Sequence, residues 1–196
     1  MTTPKHHTYL PLRPCVNHFS HSHPLRPIDR IQAEEELICS GCGLDVTGSI
    51  FRCTKSDCNF LLHKSCFNLK LEVQHKSHPH HSLKLLSTPP HDYISGLFIC
   101  NACYDYGTGF DYHCSICKFD LHVGCAQLPQ TIKHKDHQHL LTLYYSFSCI
   151  NENIKTFLCD HCGQDLPNQL WVYHCKKCDF GIHSRCTIPD CSRHLS

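Results

Sequence analysis

Three copies of one string of sulfur and nitrogen donors run through the 196-residue chain. They are Cys39, Cys42, Cys53, Cys58, His63, Cys66; then Cys100, Cys103, Cys114, Cys117, His122, Cys125; then Cys159, Cys162, Cys175, Cys178, His183, Cys186. Two cysteines separated by two residues can turn both sulfurs into one cavity from a tight bend. His-x2-Cys does the same with a nitrogen and a sulfur, and the mixture suits zinc. The six donors of each copy overfill one tetrahedral site and underfill two, which need eight. Histidine clusters before each copy can supply the missing pair, one histidine entering a module and one leaving it: His18, His21, His23; His75, His78, His81; His134, His137, His139.

Zinc held by four protein donors is structural, whereas a catalytic zinc keeps a position open for water beside a general base. The sequence has no His-Glu-x2-His, no deaminase signature, no Gly-x-Ser-x-Gly and no phosphate loop. The expectation is therefore a binding protein, not an enzyme. Cys-x2-Cys also serves thiol-disulfide oxidoreductases, which makes that chemistry an alternative. Against it stand the companion His-x2-Cys, which redox exchange does not need, and the lack of a βαβ pattern.

The elements that must carry these donors are short. Corresponding first cysteines recur about every 60 residues, the period of a small repeated unit. Units of this size bury too little apolar surface to fold well unaided, so the metals are expected to act as cores. After each histidine cluster apolar residues alternate, as in His81-Ser-Leu83-Lys-Leu85 and His139-Leu-Leu141-Thr-Leu143, with His23-Pro-Leu25 a weaker copy. That period predicts a short half-buried strand opening each module. Aromatic and branched residues flank the second cysteine pair, predicting strands around a zinc-holding turn, with Phe60, Phe119 and Phe180 as equivalent small-core aromatics. Stretches such as 64–73 and 123–132 have room for a short helical turn after the His-x2-Cys, with Pro129 limiting the second. The units so defined are a flexible segment over 1–17 and zinc modules over 18–75, 76–134 and 135–196.

Eighteen cysteines would also suit a disulfide scaffold. The start lacks the apolar stretch of a signal peptide, no Asn-x-Ser/Thr acceptor occurs, and disulfides give no reason for histidines at a fixed offset. A reducing intracellular setting, cytoplasm or nucleus, is expected. No apolar run approaches the roughly 18 residues of a membrane helix. Net charge is +1 with acids and bases interspersed, which gives no electrostatic case for nucleic acid.

The run Tyr112-His-Cys114-Ser-Ile-Cys117-Lys-Phe119-Asp-Leu121-His122-Val-Gly-Cys125, preceded by His-x-Leu-x-Leu and Cys-x2-Cys, resembles the plant cysteine/histidine-rich divergent C-one domain family. That family is related to the diacylglycerol-binding zinc domain of protein kinase C, and the resemblance covers roughly residues 18–194. It implies three tandem cross-braced, treble zinc-finger-like domains: small zinc-stabilised α+β modules with short strands and little helix. It also implies about six Zn2+ per chain, two per module. In a cross-brace the first cysteine pair joins the His-x2-Cys. One set of sites is then Cys39, Cys42, His63, Cys66; Cys100, Cys103, His122, Cys125; and Cys159, Cys162, His183, Cys186. The other set is His23, Cys53, Cys58, His75; His81, Cys114, Cys117, His134; and His139, Cys175, Cys178, His194. The chain offers histidine where the kinase domain ends on cysteine. Cys191 competes with His194, and His21, His78 and His137 are alternatives for the entering position. Module 1 departs by placing four residues between Cys53 and Cys58, where its siblings have two.

The resemblance implies an interaction or signalling adaptor that binds protein or lipid. The kinase domain's Gln-Gly before the second cysteine pair is replaced by Ser49-Ile50, Phe110-Asp111 and Trp171-Val172, which weakens ordinary diacylglycerol binding. The segment Leu166–Trp171 is the candidate apolar tip for a membrane surface or partner pocket, against packing of Trp171 inward. A cross-braced ubiquitin-ligase module is a further alternative, disfavoured because its histidine precedes the second cysteine pair. His113 and His174 align with Arg52, and these two and His161 are read as lying outside the metal sites. Cys15 and Cys149 have no repeat partners and are read as free thiols.

Overall fold

The computed structural model describes residues 13–29, 37–150 and 156–187. The segment 1–12 and the candidates Cys191 and His194 lie outside these residues. The chain divides into two units, Met1–Leu69, which holds module 1, and Lys70–Ser196, which holds modules 2 and 3.

The predicted alternation is realised as one four-stranded antiparallel sheet per module. In module 1 the order is β1 (Val16–His18), β2 (His21–Ile28), β3 (Ile50–Cys53) and β4 (Leu61–His63). Module 2 repeats it with β5 (Glu72–His75), β6 (His78–Leu86), β9 (Asp111–Cys114) and β10 (Phe119–His122). Module 3 does so with β11 (Thr131–His134), β12 (His137–Tyr144), β15 (Val172–Cys175) and β16 (Phe180–His183). A helical turn follows each last strand: α1 (Lys64–Phe67) in module 1, and single 3-10 turns at Cys125–Gln127 and Ser184–Thr187 in the others. Leu25, Leu83 with Leu85, and Leu141 with Leu143 point into the three cores, as the period-two pattern requires.

The first cysteine pair sits on a second, smaller hairpin. In module 2 this is β7 (Phe98–Ile99) paired with β8 (Tyr106–Gly107), and in module 3 β13 (Thr156–Leu158) paired with β14 (Asp165–Pro167). Module 1 keeps only the bridge between Ile38 and Asp45. The residue after each pair turns left-handed, at Gly43 (φ 71°), Tyr104 (φ 66°) and Gly163 (φ 69°). Glycine adopts this conformation freely; tyrosine does so at a cost.

One hairpin turn opens every module and settles where the histidine clusters belong. His18 pairs with His21, His75 with His78, and His134 with His137. The first histidine of each pair accepts the backbone N–H two residues on, from Ser20, Ser77 or Asp136. His75 and His134 thus open the sheets of modules 2 and 3 and do not trail the modules before them.

Modules 2 and 3 are held together by Trp171. Its N–H donates to the Ala102 carbonyl at 3.0 Å, and its ring stacks on His75 at 5.3 Å and meets the edge of Tyr145 at 4.8 Å. The expected apolar tip is therefore overturned. Trp171 is 2% exposed, and Leu166 and Leu170 are buried with it, so this loop offers nothing to a lipid surface. Two tyrosines tie down the chain that enters each hairpin: Tyr112 donates to the Lys70 carbonyl at 2.8 Å and Tyr173 to the Pro129 carbonyl at 2.6 Å. Trp171→Ala should destabilise the Lys70–Ser196 unit by about 3–5 kcal/mol, seen as an earlier guanidinium midpoint by far-ultraviolet circular dichroism. Trp171→Phe should recover part of the loss.

Candidate metal centres

Each module brings its donors into two separate clusters. The first draws on the small hairpin and the end of the sheet. Cys39, Cys42, His63 and Cys66 lie with their donor atoms all within 4.8 Å of one another, as do Cys100, Cys103, His122 and Cys125. In module 3 the same four positions converge. Cys162 Sγ is 3.5 Å and Cys186 Sγ 3.8 Å from His183 Nδ1, and Cys159 Sγ is 3.9 Å from Cys186 Sγ. A tetrahedral zinc with ordinary bond lengths separates its nitrogen and sulfur ligands by about 3.5 Å and two sulfurs by about 3.8 Å, so the cavity fits.

The imidazoles of these clusters are fixed by the hairpin that carries the cysteines. Nε2 of His63 donates to the Asp45 carbonyl at 3.1 Å, His122 to Tyr106 at 3.2 Å and His183 to Asp165 at 3.0 Å. That bond sets the tautomer and leaves Nδ1 bare toward the sulfurs. The sulfurs also crowd one another electrically. Hydrogen bonds from Cys42 and Cys66 drive Cys39 far below the usual thiol range, while its contacts with Cys39 and Cys42 push Cys66 far above it. Cys159 falls to about 2, chiefly through its hydrogen bond with Cys186. Burial disfavours a charged His122, yet Cys100 and Cys103 outweigh it and raise the ring to about 10. Donors that compete this hard for protons are relieved by a cation that lets every sulfur be a thiolate.

The second cluster draws both histidines from the opening hairpin. Its members are His21, His23, Cys53 and Cys58; His78, His81, Cys114 and Cys117; and His137, His139, Cys175 and Cys178. His21 Nε2 lies 3.2 Å from Cys53 Sγ and 3.4 Å from Cys58 Sγ, so the longer spacing in module 1 still closes. His81 and His139 each bring Nδ1 to 3.2 Å from Cys117 and Cys178. Nε2 of His78 and of His137 is buried with no hydrogen-bond partner, which a metal would supply.

Here the structure departs from the ligand sets drawn from the kinase-type cross-brace. His75 and His134 are engaged within the opening hairpins of modules 2 and 3. His75 Nδ1 pairs with Ser77 Oγ at 2.7 Å and its ring lies on Trp171, while His134 faces Asp136 in module 3. The histidine gathered with the second cysteine pair and His23, His81 or His139 is His21, His78 or His137, two or three residues away. The interleaved order survives, because the hairpin histidines and second cysteine pair bracket the first pair. His113 and His174 stay outside the clusters, on Asp120 at 2.7 Å and Asp179 at 3.0 Å.

The three equivalent phenylalanines also take a different role. They are half-buried and lie face to face on the turn histidine: Phe60 on His21 at 4.2 Å, Phe119 on His78 at 4.6 Å and Phe180 on His137 at 4.4 Å. The signal for this was present as two threefold repeats, a phenylalanine two residues after the second cysteine pair and a His-x2-His turn, that had not been connected.

The geometry defines a chain of small, strand-built zinc-finger modules, each with interleaved Cys/His clusters able to hold metal. The C1 domain family matches residues 19–67, 76–126 and 135–187, and the chain belongs to that family. C1 domains are zinc-binding modules, generally non-enzymatic, that often bind proteins or lipids. A probable nucleoredoxin 1 of Arabidopsis thaliana is 34% identical over 63 residues, which cover 32% of this chain and 9% of that protein. The chain thus spans less than a tenth of that relative. No solved structure matches the chain. Among the described residues no disulfide joins two cysteines, and no helix is long and apolar enough to cross a membrane.

Phe119→Ala should leave the sheet intact but free the His78 ring. The expected result is metal loss from the Cys114/Cys117 cluster at about 10- to 100-fold lower chelator concentration, followed with a chromogenic zinc indicator.

Proposed function

We propose that this chain is a non-catalytic adaptor that uses six zinc ions, two per module, to present small hairpins to a protein partner in an intracellular signalling setting. The ligands are the first-pair clusters with their His-x2-Cys, and the second-pair clusters with both hairpin histidines. Four protein donors close each site, which supports a structural role for the metal and leaves no position for substrate water.

The observation that carries the partner reading is Tyr104. It occupies a left-handed position (φ 66°) where modules 1 and 3 place Gly43 and Gly163, yet its side chain is 56% exposed. Backbone strain of about 1–3 kcal/mol retained for an outward-facing aromatic points to use of that ring. Its hairpin also exposes Ile99 (44%) and Tyr106 (70%), which pair directly across β7 and β8. Three large apolar side chains on one rigid, zinc-pinned tip make a small hot-spot surface, and tyrosine is a preferred residue for one.

Thiol-disulfide exchange has less support. The Cys-x2-Cys sulfurs are engaged with histidine nitrogens at ligand distance, and the nucleoredoxin likeness covers 9% of that protein. Described cysteines without disulfides fit a reducing compartment, cytoplasm or nucleus.

Two measurements test the proposal. Native mass spectrometry should give six zinc ions. His78→Ala should lower the count by one, whereas His75→Ala should keep six and lose stability by removing the ring under Trp171. For the partner surface, Tyr104→Gly should raise stability by about 1 kcal/mol while abolishing capture of the protein partner in a pull-down. Capture retained by Tyr104→Gly and by Tyr106→Ser would remove this hairpin from the interface, and binding to phosphatidylserine vesicles that either change removes would reassign the surface to lipid.

A further inference from the structure

In modules 1 and 2 the first hairpin histidine leans on a serine: His18 Nδ1 is 2.7 Å from Ser20 Oγ and His75 Nδ1 is 2.7 Å from Ser77 Oγ. Module 3 has Asp136 at that position. A second change accompanies it. The residue before the second cysteine of the first pair is Gly41 in module 1 and Ala102 in module 2, but His161 in module 3. The two changes meet in space. His161 Nδ1 lies 2.9 Å from Asp136 Oδ2, and His134 Nδ1 lies 3.7 Å from the same oxygen. The two rings are 5.1 Å apart and nearly perpendicular. The Asp136 N–H reaches His134 Nδ1 at 3.3 Å, as the serine N–H does in the sibling turns.

From this juxtaposition we propose that His134, Asp136 and His161 form an additional, open metal site that takes zinc or a zinc-like divalent cation. Two imidazoles and one carboxylate are a borderline donor set that suits zinc. Ordinary zinc bonds to nitrogen and oxygen imply donor separations of about 3.3 Å, and the observed 2.9 and 3.7 Å bracket that value. Binding exchanges the proton shared between His161 and Asp136 for the cation, and at His134 Nδ1 the cation displaces the Asp136 N–H, which turns to solvent. Three protein donors leave a coordination position to water, and Asp136 and His161 keep solvent access with side chains 45% and 25% exposed. The ion here is exchangeable, unlike those in the closed clusters. The family resemblance implies a module 2 ligand in His134; the proposed site assigns it to a metal in module 3 instead.

The test uses the full-length protein with its resident zinc, whatever that count proves to be, as the baseline. Zinc is added and followed by native mass spectrometry and calorimetry, and Co2+ is titrated in parallel. One further ion should bind, more weakly than the resident ones, and added Co2+ should give weak visible bands without thiolate-to-metal charge transfer. Asp136→Ser and His161→Ala place module 2's residues in module 3, so both variants should fold with the baseline count. Each should lose the extra ion. No additional ion in the wild type, an additional ion kept by both variants, or a thiolate signature on the added Co2+ would each overturn the site. A baseline count other than six would instead fault the ligand assignment of the closed clusters and leave this site untouched.

Discussion

Four donor atoms gathered to within 4.8 Å of one another, repeated through the chain, are what the rest of the structure depends on. Each sheet contributes only a few buried leucines and aromatics, far from the core that would hold some 50 residues by itself. The clusters make up the difference by joining distant points of the chain. Cys39 reaches Cys66, and His21 reaches Cys58, across the same stretch, so the two closures interlock. Neither hairpin can move away without opening its own cluster. Zinc binding in such a unit is folding free energy, because the unfolded chain has no comparable site.

The two clusters of a module hold their imidazoles by different physics. In the first, the ring nitrogen remote from the sulfurs donates to a carbonyl of the small hairpin, as His122 does to Tyr106. In the second, the turn histidine is gripped over its face by a phenylalanine that follows the cysteine pair, as His78 is by Phe119. A hydrogen bond fixes tautomer and direction together, whereas stacking fixes only the plane of the ring. The second clusters are also the less sheltered. Cys117 and Cys178 are exposed, although their partners Cys114 and Cys175 are buried. The hairpin clusters are thus the more labile half of each module, and the first clusters its anchor.

The cysteine strings and the leading strands were legible because sulfur spacing and period-two alternation are local patterns. The members of the first clusters stand out in those strings, and the family resemblance groups them as the structure gathers them. The fourth donor of the second cluster was not legible in the same way. A histidine lying between two modules has no mark of which side it belongs to, and the register pairing His75 with His78 is a tertiary fact. The kinase-type cross-brace implies a trailing ligand and leaves His21, His78 and His137 only as alternatives for the entering position. Trp171 misled for a related reason. Beside a proline-containing loop it resembles an exposed tip, and only the carbonyl of Ala102 and the ring of His75 in the neighbouring module show what covers it.

Repetition makes the modules their own controls, and their differences fall at a few equivalent places. The left-handed position after the first cysteine pair is glycine twice and Tyr104 once. The knuckle residue inside that pair is Gly41, Ala102 or His161, and the turn position is serine twice and Asp136 once. None of these positions belongs to a closed cluster, so each can change without disturbing the metal scaffold. Ala102 illustrates the consequence. Its small side chain and free carbonyl lie where Trp171 docks, so module 2 receives its neighbour at the place where module 3 carries His161. A scaffold set by cysteine and histidine thus leaves the turns beside the metal free to diverge, toward an aromatic tip in module 2 and an open donor set in module 3.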